Sequence, residues 1–210
     1  RVVLTGPDGE VDRLSYDRLI LATGSLPVIP ALPGSDHPSL FPVRTVPDVD
    51  RIAARLDSVR WTGSDPPRAL VVGGGYIGLE TAEQLRRRGC RVTLVELLPQ
   101  LMQALDGEMA ELVRRALVAG EIEVRLNEGL VAIREEAGKP VAETSSGKRV
   151  PFELGILALG VRPNVELARQ AGLRLGAGGA VAVDREQRTS DEAVYAAGDN
   201  SETIQLVTGT

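Results

Sequence analysis

The residues best able to do chemistry in this sequence are Gly73-Gly74-Gly75-Tyr76-Ile77-Gly78, which fit the spacing G-x-G-x-x-G. Glycine lets a backbone approach a ligand with no side chain in the way, and a helix opening there presents free N–H groups and a positive dipole end. That combination suits a pyrophosphate. Gly73 permits the tight turn, Gly75 the close approach to the phosphates, and Gly78 the packing of helix on strand. Glu96 follows 18 residues after Gly78, at the end of the next apolar run. A carboxylate at that place accepts hydrogen bonds from an adenosine ribose and repels a 2′-phosphate. Leu97, Leu98 and Pro99 come next, so no arginine stands ready to receive such a phosphate. The pattern predicts NAD(H) in preference to NADP(H). A P-loop is excluded, because neither Lys139 nor Lys148 sits in G-x-x-x-x-G-K-[ST].

A glycine motif means little without the elements that hold it. Ala69-Leu70-Val71-Val72 is a continuous apolar run, the mark of a parallel strand covered on both faces. A helix is predicted from Tyr76 to Arg88, with Ile77, Ala82 and Leu85 on one side and Gly89 as its stop. The next strand runs from Cys90 to Glu96. A further helix starts at Asp106, carries Met109, Leu112, Val113, Ala116 and Leu117, and ends at Gly120. Short strands follow at Ile122–Leu126 and Leu130–Arg134, then a hairpin turning at Ser145-Ser146-Gly147-Lys148, then the strand Leu154–Leu159. Ahead of this region lie short strands at Val2-Val3-Leu4 and Arg18–Ala22, and a proline-rich stretch (Pro27, Pro30, Pro33, Gly34) that reads as a stiff linker. Thr45 and Asp48 make a capping box for a helix with apolar Val46, Val49, Ile52, Ala53 and Leu56. A second linker is expected at Gly63-Ser64-Asp65-Pro66-Pro67. The fold class is α/β: a Rossmann-like three-layer sandwich with a mainly parallel sheet plus a β-meander, flanked by parts of a second, split Rossmann-like domain.

Composition narrows the function. The chain has 210 residues, 43% hydrophobic and 25% charged, enough for a sizeable core. With 24 basic and 29 acidic residues the net charge is −5, the wrong sign for a nucleic-acid binder. One Trp, three Tyr and two Phe are too few for base-stacking platforms. No apolar run reaches the roughly 20 residues that span a bilayer. A single cysteine, Cys90, and a single histidine, His37, exclude intrachain disulfides, cysteine-based zinc sites and two-histidine metal sites. Cys90 opens an apolar strand and reads as a small buried packing residue. These features predict a soluble, cytoplasmic, metal-free protein whose partners are small-molecule dinucleotides, with neither nucleic acid nor membrane among them.

The sequence also repeats itself. Tyr16–Gly24 with Pro27 aligns without gaps on Phe152–Gly160 with Pro163, sharing Ile-Leu-Ala-x-Gly-x-x-Pro. Two related domains, each closing on the same strand, would give this pattern. The second copy has its own strand-helix-strand front and the first does not. The chain also opens inside an apolar run, at Arg1-Val2-Val3-Leu4, and so reads as a piece of a longer polypeptide.

Four stretches together resemble the FAD- and NAD(P)-dependent pyridine nucleotide-disulfide oxidoreductases: Tyr16–Gly24, Val71–Glu96, Gly160-Val161-Arg162-Pro163-Asn164, and Thr189-Ser190 through Tyr195-Ala196-Ala197-Gly198-Asp199. The tail, Asp199-Asn200 with Glu202 and Leu206-Val207-Thr208-Gly209, is most similar to the NADH oxidase and coenzyme A disulfide reductase branch. The resemblance implies an NAD(H) domain at residues 35–162 and partial FAD-domain segments at 1–34 and 163–210. It implies hydride transfer from NADH to FAD, then to a disulfide, thiol, dioxygen or other acceptor, in a parent that is a homodimer. By resemblance Asp199 meets the FAD ribityl chain, Thr23 and Gly24 pass near the flavin, Tyr76 covers the nicotinamide pocket, Glu80 lies near the flavin ring, and Gly160 belongs to the cofactor-contacting set. The flavin fingerprint and the redox cysteine are expected upstream of Arg1, which leaves no catalytic residue in this chain. Leu159 departs from the pattern, replacing the threonine present at Thr23 in the other copy. A ferredoxin reductase-like flavoprotein and a non-catalytic NADH-sensing module are the alternatives.

Overall fold

The computed structural model describes residues 1–59 and 65–203. Gly63 and Ser64 of the second linker, and Leu206 to Gly209 of the tail, lie outside the described residues. The chain forms two compact units, Arg1–Leu26 with Arg162–Thr210, and Pro27–Val161. The first strands are β1 (Val2–Thr5), β2 (Val11–Leu14), β3 (Leu19–Leu21), β4 (Ser25–Pro27) and β5 (Leu40–Pro42). After α1 (Val46–Ser58) come β6 (Arg68–Val72), α2 (Tyr76–Arg87), β7 (Arg91–Val95), α3 (Gly107–Ala119) and β8 (Glu123–Arg125). Next are β9 (Leu130–Glu136), β10 (Lys139–Thr144), β11 (Arg149–Pro151) and β12 (Leu154–Leu157). The last elements are β13 (Val161–Pro163), α4 (Glu166–Gln170) and β14 (Val194–Ala196).

The second unit is a three-layer sandwich. Its sheet has the order β5-β12-β6-β7-β8, and every pairing in it is parallel. Side chains of β6 alternate between its faces, as a pleated strand requires. Ala69 and Val71 pack with Ile52 of α1, Ala82 and Leu85 of α2, and Val113 and Leu117 of α3. Leu70 and Val72 face the other way, onto Ile133, Ala142, Val150 and Phe152 of the antiparallel meander β9-β10-β11 and its exit. Cys90 is buried in the helix-side core, as its place at a strand start suggests, and burial pushes its thiol pKa up.

Several sequence expectations shift. Ile77, Met109 and Leu112 are exposed, so the apolar stripes of α2 and α3 are narrower than their spacing implies. The proline-rich stretch is no free connector. The Ile133 amide donates to the Pro33 carbonyl, and a side chain at Gly34 would overlap the Ile133 backbone, so the stretch is laid along β9. Thr45 and Asp48 do form the capping box of α1.

The first unit contains the antiparallel ribbon β1-β2 and the parallel pair β3-β14. Its core gathers Leu19 and Leu21 of β3, Val194 and Ala196 of β14, and Val165 and Ala168 at α4.

Arg68 and Glu153 fix how β6 and β12 begin. The Arg68 amide donates to Glu153 Oε2 at 2.7 Å and its guanidinium to Oε1 at 2.6 Å. Burial pushes the Glu153 carboxyl up, but the Arg68 guanidinium and amide outweigh it, and the group ends below the usual range. A depressed carboxylate stabilises the fold above its unfolded pKa of about 4.3, and that stability is lost as pH falls through the folded value. Glu153→Gln is expected to cost about 1–2 kcal/mol at pH 7, since the pair is partly exposed. It should also flatten the fall of Tm between about pH 5 and pH 3. Thermal melts across that range check this; parallel curves for the two proteins would contradict it.

Candidate functional site

The glycine loop runs directly from β6 into α2, and each glycine answers to a different constraint. Gly73 has φ +109, and a side chain there would overlap the Ala158 carbonyl after β12. A Cβ on Gly78, in the first turn of α2, would overlap the Gly73 carbonyl. Those two glycines let α2 sit against the end of the sheet. Gly75 differs: it is the N-cap of α2 at φ −85, with open space where a Cβ would go. Among the described residues no packing contact requires glycine at that position. The first backbone bond of α2 runs from the Leu79 amide to the Gly75 carbonyl at 3.0 Å. The preceding amides of the turn have no intrahelical acceptor, by helix geometry.

Glu96 sits one residue past β7 and is half-buried. Its Oε2 accepts from the Gly74 amide at 2.6 Å and its Oε1 from the Leu98 amide at 2.8 Å. The carboxylate thus braces the glycine loop as well as marking the strand end. Each oxygen retains acceptor capacity for a further donor. Met102, at φ 49, closes the loop from the other side, its amide donating to the Gly74 carbonyl at 2.9 Å.

Tyr76 is 70% exposed at the open start of α2, free to contact a ligand lying across the loop. Glu80 is exposed one turn on and lines a groove with Ile52 and Leu56 of α1. Gly160 lies beyond the end of β12, the neighbour of β6, with open space at its Cα. Thr23, Gly24 and Asp199 are brought together within the other unit, past the parallel ends of β3 and β14. Ser25 Oγ donates to Asp199 Oδ2 at 2.8 Å, and Thr23 Oγ1 donates to the Asn164 carbonyl at 2.6 Å. The Thr23 hydroxyl therefore holds its own loop. Asn200, buried, donates from Nδ2 to the Leu21 carbonyl at 3.0 Å and tightens the same strand ends.

Two features escaped sequence reasoning. The brace from Glu96 to Gly74 leaves no mark in spacing, because the same acid would be expected for a ribose alone. Glu128, a buried carboxylate between two turns, reads in sequence as an ordinary loop acid beside Asn127 and Gly129. Among the described residues no group of three His, Cys, Asp or Glu is placed to hold a metal, and no helix is long and apolar enough to cross a membrane.

The model of the pyridine nucleotide-disulphide oxidoreductases matches residues 1–209. The chain belongs to that family. It is 38% identical over 205 residues to an NADH oxidase of Methanocaldococcus jannaschii, covering 96% of this chain and 44% of that protein. Among solved structures it is similar to reduced Bacillus anthracis CoADR-RHD, with 40% identity, a TM-score of 0.89, and coverage of 97% of this chain and 35% of the other. It is also similar to an NAD-dependent persulfide reductase from A. fulgidus, with 35% identity, a TM-score of 0.90, and coverage of 98% and 37%. The chain thus spans less than half the length of these relatives. The family is one of Rossmann-type folds, as the parallel sheet and its glycine turn already indicated.

The three glycines make separable demands. Gly78→Ala is expected to cost upwards of about 2 kcal/mol, since the backbone of Gly73 cannot yield cheaply. Gly75→Ala should cost only about 0.5–1 kcal/mol, the difference between a favoured and a poor N-cap residue, since the side chain enters open space. Urea unfolding of both variants checks the contrast. Equal losses would mean that Gly75 too is required by packing.

Proposed function

We propose that the second unit binds NADH at Gly73–Gly78 and Glu96, and that the parent protein passes its hydride to FAD. The observation that carries this reading is Gly75: a glycine that no contact among the described residues demands, at the exposed mouth of a helix whose N-cap has no side-chain hydrogen bond. The residues present fit the cofactor. The loop and the start of α2 offer N–H donors to a pyrophosphate, and Glu96, oriented by two backbone amides, offers its remaining lone pairs to ribose hydroxyls. Gly74 and Ile77 complete the loop between these groups. Residues 35–162 are then the NAD(H) domain, and residues 1–34 and 163–210 contribute to the flavin domain.

When bound, nicotinamide supplies a hydride and flavin accepts it. The chain's own part is placement. Asp199, held by Ser25 Oγ, is set to accept from a ribityl hydroxyl, while Thr23 spends its hydroxyl on Asn164 and so fixes the Gly24 loop. Tyr76 would cover the nicotinamide end and Glu80 would stand near the ring. In the parent, a redox cysteine outside this chain would serve a disulfide, thiol, dioxygen or other acceptor. The names of the relatives support NADH oxidation or persulfide reduction as that outcome. A homodimeric, cytoplasmic parent belongs to the same proposal.

Nucleotide choice is the direct test. Calorimetry should show tighter binding of NADH than of NADPH, and Glu96→Arg should shift the preference toward NADPH by removing like-charge repulsion and adding a phosphate partner. Equal or tighter NADPH binding by the unaltered chain would sink the assignment.

The two ends of the cofactor separate in stopped-flow reduction of the full-length parent. Tyr76→Ala should change the limiting rate of flavin reduction with little effect on apparent affinity. Gly75→Val should raise the apparent Kd roughly tenfold or more, since a branched side chain blocks the backbone from the phosphates. The reverse pattern would mean that the cofactor lies the other way round.

A further inference from the structure

Glu128 is a carboxylate only 3% exposed, and its surroundings are built for it. Oε1 accepts from Thr144 Oγ1 at 2.6 Å and Ser146 Oγ at 2.8 Å, and Oε2 from Lys148 Nζ at 3.3 Å. The Arg125 guanidinium stands 3.6 Å from Oε1, its Nη1 buried with no hydrogen-bond partner among the described residues. All three donors come from the β10–β11 hairpin, while the Arg125 cation reaches the carboxylate from β8. Burial pushes the Glu128 carboxyl up, and the hydroxyls of Thr144 and Ser146 with the Lys148 ammonium outweigh it and hold it low. A well-packed apolar residue would serve a plain turn as well as a buried charge does.

That turn is fastened to Glu96. The Glu96 amide donates to the Arg125 carbonyl at 2.8 Å, and the Glu128 amide donates to the Glu96 carbonyl at 2.9 Å. The Asn127 amide, at a residue with φ 54, donates to the Leu98 carbonyl at 3.1 Å. The Glu96 and Leu98 carbonyls are thus held by the turn that Glu128 anchors, and the Glu96 amide by the end of β8 just before it. The Glu96 carboxylate in turn holds the Gly74 and Leu98 amides.

We infer that Glu128 is a positioning residue for dinucleotide binding: its buried carboxylate locks the Leu126–Gly129 turn, which aims Glu96 at the glycine loop. The inference rests on the NADH reading for its ligand, but its mechanical half can be read with no ligand present.

The test uses the full chain with Glu128→Gln, Glu96→Ala and the double variant. In the absence of nucleotide, amide exchange at Gly74 and Leu98 should run about tenfold faster or more in Glu128→Gln, while the core amides of β6 keep their protection. With NADH as the probe, Glu128→Gln should weaken binding about fivefold to tenfold, and in the Glu96→Ala background by no more than about twofold. Unchanged exchange at Gly74 and Leu98, or the same loss of affinity in both backgrounds, would overturn the inference. Faster exchange in Glu128→Gln, with no NADH binding by the unaltered chain, would instead uphold the positioning and sink the NADH reading. If Glu128→Gln fails to fold, Ser146→Ala removes one donor from the exposed hairpin and carries the same two readouts, with about a twofold loss of affinity expected.

Discussion

The nucleotide end of this protein depends on how closely α2 can approach the end of β6. The Gly73 carbonyl occupies the space that a side chain at residue 78 would need, and the Ala158 carbonyl the space that one at residue 73 would need. Three backbones meet there with no side chain between them: the end of β6, the turn after β12 and the first turn of α2. Any larger residue would drive the helix outward and tilt its first amides away from the loop. From this one steric condition follow the direction of α2, the exposure of Tyr76 and the open space at Gly75. The remaining polar contacts, Glu96 to Gly74 and Met102 to Gly74, hold the loop in the conformation that the close approach allows.

The layers around the site divide the work. The helix side of the sheet has an apolar core, and Val71, Leu94 and Ile156 are fully enclosed there. That side supplies the burial that keeps the strand ends in register. The meander side combines an apolar core with polar ties at its rim, where Glu128, Thr144 and Ser146 meet above Ile133 and Ala142. Hydrophobic contact is non-directional and tolerates small slides; a buried carboxylate with fixed donors does not. The order of the sheet can therefore come from the first kind of interaction and the aim of Glu96 from the second.

Much of this was legible in the chain. Ala69–Val72 reads as a strand covered on both faces because its four residues are all apolar, and both of its faces are indeed packed. Gly73, Gly75 and Gly78 read as one motif because backbone sterics leave few substitutes for glycine. What stayed hidden lies in contacts between residues distant in sequence. Ile77, Met109 and Leu112 look like core at helical spacing, but only contact with a neighbouring element decides which edge of an apolar stripe is covered. Pro33 and Gly34 look like a linker because prolines stiffen a chain whether it is free or laid along a strand. Glu128 had no signal at all, since its partners lie 16 to 20 residues further on.

The internal repeat shows the same division at the level of whole motifs. Gly24 and Gly160 both adopt positive φ, at 66 and 90. In the first unit the Asn164 amide, four residues past Gly160, donates to the Gly24 carbonyl at 2.9 Å. In the second unit the Val28 amide, four residues past Gly24, donates to the Gly160 carbonyl at 3.0 Å. Each copy thus receives from the other's continuation in the same register, as copies of one ancestral turn would. The backbone features of the turn persist in both copies, because losing the glycine would break its conformation in either place. The side chains have diverged. Thr23 keeps a hydroxyl bonded to Asn164, and Leu159 has no group with which to make its counterpart. A turn whose backbone is held in common while its side chains differ is one whose shape serves the fold.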